Sequence, residues 1–291
     1  MATVNLIFTH TTEHLAAHFA PDPHFRLFLS EKNKDQQRYF PDGEIYVCFP
    51  NLEQIKGRVI IIHSGFPQVN SGLQELEMIL ALLQPRKKQI DLEIFFTYFP
   101  YARQDNIFRR GEINAARFLL DKLIHFYRVN KIYLCDPHFA NKKWVNNYPL
   151  EIVKISSLLQ EKARQDFPEI IFLSPDQGGS EREGLPGARK ERRSSFEVHF
   201  HYPPDFQQQI SARTIGVVDD LLQTGGTLSR FGQLCLQCGA QKLIAVITHG
   251  VLAEGIKRVQ SIYSHLYLAN TINQPAANFD ISPHLKKIFR A

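Results

Sequence analysis

Two adjacent acids followed by a threonine and glycine turn are the residues of this chain best suited to chemistry. In Ile215-Gly-Val-Val-Asp219-Asp220-Leu-Leu-Gln-Thr224-Gly225-Gly226-Thr227 an apolar run ends in paired carboxylates and then in a turn that opens a helix-like pattern. Backbone N–H groups in such a turn point at an anion, the helix dipole adds about half a positive charge, and the Thr224 and Thr227 hydroxyls supply further donors. Asp219 and Asp220 can accept hydrogen bonds from two sugar hydroxyls. Together these residues describe a site for a ribose carrying a 5-phosphate. An ordinary strand-turn-helix corner accounts for the glycines but not for acids and threonines at once.

Four other groups share the feature of following or preceding a short apolar run. Tyr39-Phe40-Pro41-Asp42-Gly43-Glu44 contains a Pro-Asp-Gly turn, and beyond the turn it offers an aromatic ring for stacking with two acids for an amino group, as a purine requires. The segment Phe99-Pro100-Tyr101-Ala102-Arg103-Gln104-Asp105, with Arg109 and Arg110 further on, is a cationic loop suited to bringing guanidinium groups to phosphates. Asp136-Pro137-His138 and Ser174-Pro175-Asp176 offer His138 and Asp176 to a hard cation, directly or through water. The basic run at 189–193 contains Lys190 and Arg192 and, taken alone, reads as a solvated face.

The chain surrounding these groups has 291 residues, 44% of them hydrophobic, which is enough for two medium-sized domains. No apolar stretch approaches the ~20 residues that span a bilayer, and the N-terminal residues lack the pattern of a signal peptide, so a cytoplasmic protein with no membrane partner is expected. Cys48, Cys135, Cys235 and Cys238 show no metal-ligand spacing and read as core thiols. The net charge of +5 is gathered in small clusters, with the aromatics placed in strand-like runs rather than between exposed basic residues. That distribution fits an anionic small substrate and argues against nucleic acid.

Positioning falls to an alternation of short apolar runs with helical patterns. Strands are predicted at 4–8, 45–49, 59–63, 92–97, 131–135, 170–174, 214–218, 243–248 and 262–268, and helices at 73–83, 115–127, 156–166 and 227–238. This is an α/β pattern of mostly parallel sheets flanked by helices. Residues 59–73 can be laid on 215–228, strand on strand and turn on turn, so two related halves are expected, 1–149 and 150–291.

In order along the chain, FPDGE, FPYARQD, DPH, SPDQGG, KERR and VVDDLLQTGGT resemble the motifs of ribose-phosphate pyrophosphokinases, over roughly residues 38 to 250. The resemblance implies two Rossmann-like domains of the phosphoribosyltransferase type, the N-terminal one carrying the ATP motifs and the C-terminal one the ribose 5-phosphate loop. It implies transfer of the β,γ-diphosphate of ATP to the anomeric hydroxyl of ribose 5-phosphate, with Mg2+ and with homo-oligomerisation. By motif it assigns Phe40, Asp42 and Glu44 to adenine, and Arg103, Gln104 and Asp105 to the ATP phosphates and ribose. His138 and Asp176 go to magnesium, Asp219 and Asp220 to the sugar hydroxyls, and Thr224, Gly225, Gly226 and Thr227 to the 5-phosphate. Lys190 and Arg192 match the Lys-x-Arg that stabilises the transferring group. The chain departs from the family in a shortened segment between Gly179 and Lys190, in residues 139–148, and before residue 38. Two alternatives follow: a catalytically silent homologue that modulates a true synthetase, and a phosphoribosyltransferase that consumes the activated sugar.

Overall fold

Near-continuous apolar runs such as Val4-Asn-Leu-Ile-Phe8 can be buried on both faces only inside a parallel sheet covered by helices, and this is what the chain builds. A computed structural model describes residues 3–186, 189–192, 198–201 and 206–291, with the backbone alone at 189–192 and 198–201. The chain divides into two compact units, one of Met1–Val153 with Thr271–Asn273 and Ile281–Ala291, the other of Lys154–Asn270 with Gln274–Asp280.

The first unit opens with β1 (Val4–Phe8), α1 (Glu13–Phe19) and β2 (Phe25–Leu29), continues through β3 (Gly57–Ser64), α2 (Val69–Leu83) and β4 (Ile90–Tyr98), and goes on to α3 (Ala115–Asp121), β5 (Lys131–Cys135) and β6 (Leu150–Val153). Its six strands are all parallel, in the order β2-β1-β3-β4-β5-β6. The edge strands β2 and β6 are additions to the sequence reading. Both are short, and Arg26 or Glu151 interrupts the apolar pattern that marks a strand. Conversely, the predicted strand at 45–49 does not form. Ile45 and Phe49 are buried, but the segment makes an isolated bridge from Ile45 to Tyr39, a bond from Tyr46 N–H to the Arg38 carbonyl, and bonds to Ser30 and Glu31 rather than a strand ladder.

The second unit contains α4 (Ile155–Asp166), β7 (Ile171–Leu173), α5 (Gln177–Glu183), the hairpin of β8 (Arg189–Arg192) and β9 (Val198–His201), α6 (Phe206–Ile210), β10 (Thr214–Leu222), α7 (Gly226–Gln237), β11 (Lys242–Gly250), α8 (Ala253–Gln260) and β12 (His265–Leu268). Four of these strands form a parallel sheet in the order β12-β11-β10-β7, and β8 pairs with β9 antiparallel. The internal similarity is visible in the connections. Unit 1 runs β1, β3, β4, β5 as neighbours and unit 2 runs β7, β10, β11, β12, each with one excursion between its first two strands.

The last helix, α9 (Ser282–Arg290), belongs to the first unit and has no counterpart in the sequence reading. Phe289 is fully buried, with its ring centroid 6.0 Å from Phe19 and 5.3 Å from Phe95. Burying such a ring contributes about 2–3 kcal/mol. Arg58 fixes the helix end, giving Nε and Nη2 to the two oxygens of Glu93 at 2.9 and 3.1 Å and Nη1 to the Phe289 carbonyl at 2.8 Å. Removing the guanidinium leaves Glu93 buried without its counter-charge. We expect Arg58→Ala to lower the stability of this unit by about 2–4 kcal/mol, read from urea unfolding followed by the fluorescence of Trp144, the single tryptophan.

Candidate active site

Four strands of the second unit end at one rim, and the acids flagged in the sequence lie there. Asp219 and Asp220 sit inside β10 rather than beyond it, because the strand runs four residues further than the apolar pattern predicts. Asp220 is held by Arg182 of α5, whose Nη2 lies 2.6 Å from its Oδ1, with the two side chains only 7% and 4% exposed. Arg182 was not singled out from the sequence. Its signal was weak: it is the sixth residue after Asp176, in a polar run that carried no helical apolar pattern.

Asp176 makes that placement possible. Its carboxylate accepts from the Gly179 N–H at 2.9 Å, which caps α5 and starts the helix that carries Arg182. A Cβ on Gly179 would overlap the Ser174 hydroxyl where it now lies. Burial, reinforced by the Asp220 and Asp176 carboxylates, pushes the Asp219 carboxyl well above the usual carboxylate range. Burial also acts to lower the Arg182 pKa, but Asp220, Asp219 and Asp176 outweigh it and raise it.

The turn after β10 leads directly into α7. Gly225 takes the left-handed conformation, φ +72°, and precedes the first helical residue. A Cβ on Gly255 of α8 would overlap the Gln223 carbonyl, so two glycines back to back allow the turn to lie against α8. The turn presents Thr224 and the N-terminal N–H groups of a twelve-residue helix, whose first turn has no intrahelical acceptors.

In the first unit the Phe40 segment is a tight hairpin. Phe40 N–H donates to Glu44 O at 2.8 Å, Gly43 N–H to Phe40 O at 2.9 Å, and Asp42 Oδ1 accepts from Glu44 N–H at 3.1 Å. Phe40 is 42% exposed and is braced edge-on by Tyr46, an open face available to a planar ring. In the loop after β4, Arg103 and Gln104 are exposed whereas Asp105 is buried, its carboxylate 3.6 Å from Lys142 Nζ. Asn114 bonds the Asp105 carbonyl at 2.6 Å and caps α3, so the loop is pinned to the helix that follows it. Arg109 is exposed and pairs with Glu112 at 2.9 Å.

The stretch at 139–148 supports this loop. Phe139 packs 5.3 Å from Phe99 and 5.0 Å from Trp144, and Val145 is buried beside them. His138 lies immediately before that cluster, at the end of β5. Lys190 and Arg192 lie on β8, opposite Phe200 and Val198. Gly187, Arg193 and residues 194–197 lie outside the described residues. Among the described residues no three metal-ligating side chains form a group, and no helix is long and apolar enough to cross a membrane.

No family model matches the chain. It is 32% identical to the ribose-phosphate pyrophosphokinase of Thermococcus kodakarensis over 263 residues, covering 86% of this chain and 89% of that one. The chain belongs to the ribose-phosphate pyrophosphokinase family. The corresponding protein of Pyrococcus abyssi is 30% identical, with 86% and 88% covered. A crystal structure of phosphoribosylpyrophosphate synthetase from Mycobacterium smegmatis shares the fold, with a TM-score of 0.79, 23% identity, and 99% and 98% of the two chains covered. Within this pyrophosphokinase family fold, the two-unit architecture and the parallel sheets are those that the motifs implied.

The clustered acids have a measurable consequence. Folding raises the Asp219 pKa, so the stability it contributes is fully present below the ordinary carboxylate pKa of about 4 and is lost as pH climbs through the raised value. The thermal stability of the ligand-free chain should therefore fall as pH rises above about 4, and Asp219→Asn should flatten that slope, as followed by calorimetry over a pH series.

Proposed function

We propose that this chain transfers the β,γ-diphosphate of ATP to the C1 hydroxyl of ribose 5-phosphate, giving phosphoribosyl pyrophosphate and AMP. The observation that carries the proposal is the acid rim of β10 leading into the α7 turn, held by Arg182, in a chain of this family. In this reading Asp219 and Asp220 receive the sugar hydroxyls, and Thr224, Gly225, Gly226 and Thr227 receive the 5-phosphate. Arg182 carries no substrate role. It offsets part of the repulsion among three carboxylates and holds Asp220 in one orientation before the sugar arrives, which places the C1 hydroxyl for in-line attack.

On the nucleotide side, Phe40 stacks on adenine and Asp42 and Glu44 accept from its amino group. Arg103 and Gln104, both exposed, reach the phosphates. Asp105, turned inward to Lys142, holds the loop's shape. Attack on the β-phosphorus builds negative charge on its oxygens with little covalent work for the protein, so aligned cations supply most of the acceleration. Lys190, Arg192 and Arg103 are the cations assigned to that task. Magnesium accompanies the nucleotide in this reading and would neutralise phosphate oxygens; the Asp176 carboxylate suits it directly and the His138 imidazole through bound water. As the C1 oxygen bonds to the β-phosphorus, the bond to the α-phosphate oxygen breaks to release AMP, and the hydroxyl proton goes to solvent or to a rim carboxylate.

The name carried by the relatives favours a pyrophosphokinase over a phosphoribosyltransferase, and the exposed Phe40 ring supports a nucleotide face that a transferase does not need. A cytoplasmic setting belongs to the same reading, supported by four free cysteines. Self-association is also part of it: Phe118 and Phe126 are 57% and 69% exposed in the first unit, large apolar surfaces that a second copy can cover. Light scattering is expected to give a mass that is a multiple of the 33.5 kDa chain.

Phosphorus NMR of the purified chain with magnesium, ATP and ribose 5-phosphate should show AMP appearing with a diphosphate on C1. ATP binding without sugar-dependent AMP would instead favour the silent homologue. Lys190→Ala should lower kcat by about 100- to 1000-fold while the ATP dissociation constant stays within about twofold; unchanged turnover removes Lys190 from its role.

A further inference from the structure

Beneath the Phe40 hairpin lies a buried acid that the proposed chemistry does not use. Glu75 of α2 has no exposed surface. A carboxylate taken out of water needs a counter-charge and donors to satisfy it. His10, in the turn after β1, meets that need: its N–H lies 3.2 Å from both Glu75 oxygens, and its ring Nδ1 is hydrogen-bonded to Glu75 Oε2. The other imidazole nearby does not compete. His63 is bonded to Thr9 Oγ1 at 3.0 Å, and burial, with the His10 charge, pushes its pKa down to about 3, so it stays neutral.

His10 also faces outward. Its Nε2 lies 3.1 Å from the Tyr39 hydroxyl, and the two rings meet edge-on with centroids 5.9 Å apart. Tyr39 immediately precedes Phe40 and pairs with Ile45 across the hairpin. Successive side chains of an extended segment point to opposite sides, so when Tyr39 is held inward Phe40 is held outward. The bond survives a change of His10 protonation, since a neutral Nε2 accepts from the Tyr39 hydroxyl and a protonated one donates to it. A second tie flanks the first: Arg38 is ion-paired with Glu13 of α1.

We infer that Glu75, His10 and Tyr39 form a positioning chain that sets the pose of the Phe40 platform and so tunes affinity for the nucleotide, without touching the nucleotide or the reacting atoms. The inference rests on the assignment of Phe40 to adenine.

The test compares Tyr39→Phe, which removes one hydroxyl and keeps the ring, with Phe40→Ala. Nucleotide binding is measured by calorimetric titration with the β,γ-imido analogue of ATP, alongside steady-state kinetics and thermal melting. A net hydrogen bond of this kind corresponds to about a three- to tenfold change. Tyr39→Phe is expected to weaken analogue binding and raise KM for ATP by that factor, with kcat and KM for ribose 5-phosphate within about twofold. Glu75→Gln, which keeps the shape and removes the charge, is expected to act in the same direction. If Phe40→Ala weakens analogue binding and Tyr39→Phe does not, the positioning chain is wrong and the nucleotide assignment stands. If Phe40→Ala leaves binding intact, the assignment of Phe40 falls and the inference falls with it. Equal losses for both substrates together with a lowered melting temperature would reduce the network to a purely structural one.

Discussion

Parallel pairing is the constraint on which the rest of this molecule depends. Strands that all run one way need a crossover after each, so every strand of a sheet releases its chain at the same rim. In the first unit that rim receives His10 after β1, Pro100 to Arg103 after β4 and His138 after β5. In the second it receives Asp176 after β7 and the Thr224 turn after β10. Residues far apart in sequence thereby gather in each unit without any element being bent toward them.

Gathering polar residues at a rim creates an electrostatic problem, and the chain solves it the same way more than once. Asp220 is covered by Arg182 and Asp105 by Lys142, each paired with a cation from another element, and Glu75 is hydrogen-bonded by the backbone N–H and ring Nδ1 of His10. Such pairs stabilise little in net terms, since desolvation offsets much of the attraction. What they supply is a defined orientation in the absence of ligand, and a set of groups that need not reorganise when charge builds up on a substrate.

Close approach is the other recurring device. Gly225 and Gly255 let a loop and a helix touch backbone to backbone, and Gly179 lets α5 start against Ser174. Bulky residues do the complementary work in the first unit, where Phe99, Phe139 and Trp144 form one cluster beneath the loop after β4. Residues 139–148 thus place a packed support beneath the cationic loop.

Most of the central strands and the turn after β10 were legible in the sequence because both are local signals: runs of four to nine apolar residues, and acids, threonines and glycines within one turn of each other. Strands β1 and β5 coincide with the expected ranges, and the similarity of 59–73 to 215–228 corresponds to the shared connection order of the two sheets. The edge strands β2 and β6 were hidden by charged residues, and 45–49 imitated a strand because the apolar residues Ile45, Val47 and Phe49 alternate with a period of two whether or not a neighbour is present to pair. Arg182, Lys142 and the Glu75–His10–Tyr39 chain could not be read at all. Each joins residues 29 to 65 positions apart or lies in a polar run without periodicity, and a partner at that distance is chosen by the packing of helices on a sheet. The sequence by itself determined which chemical groups stand at the ends of strands. Only the tertiary structure decided which of them are buried and paired, because burial and charge pairing arise from neighbours in space.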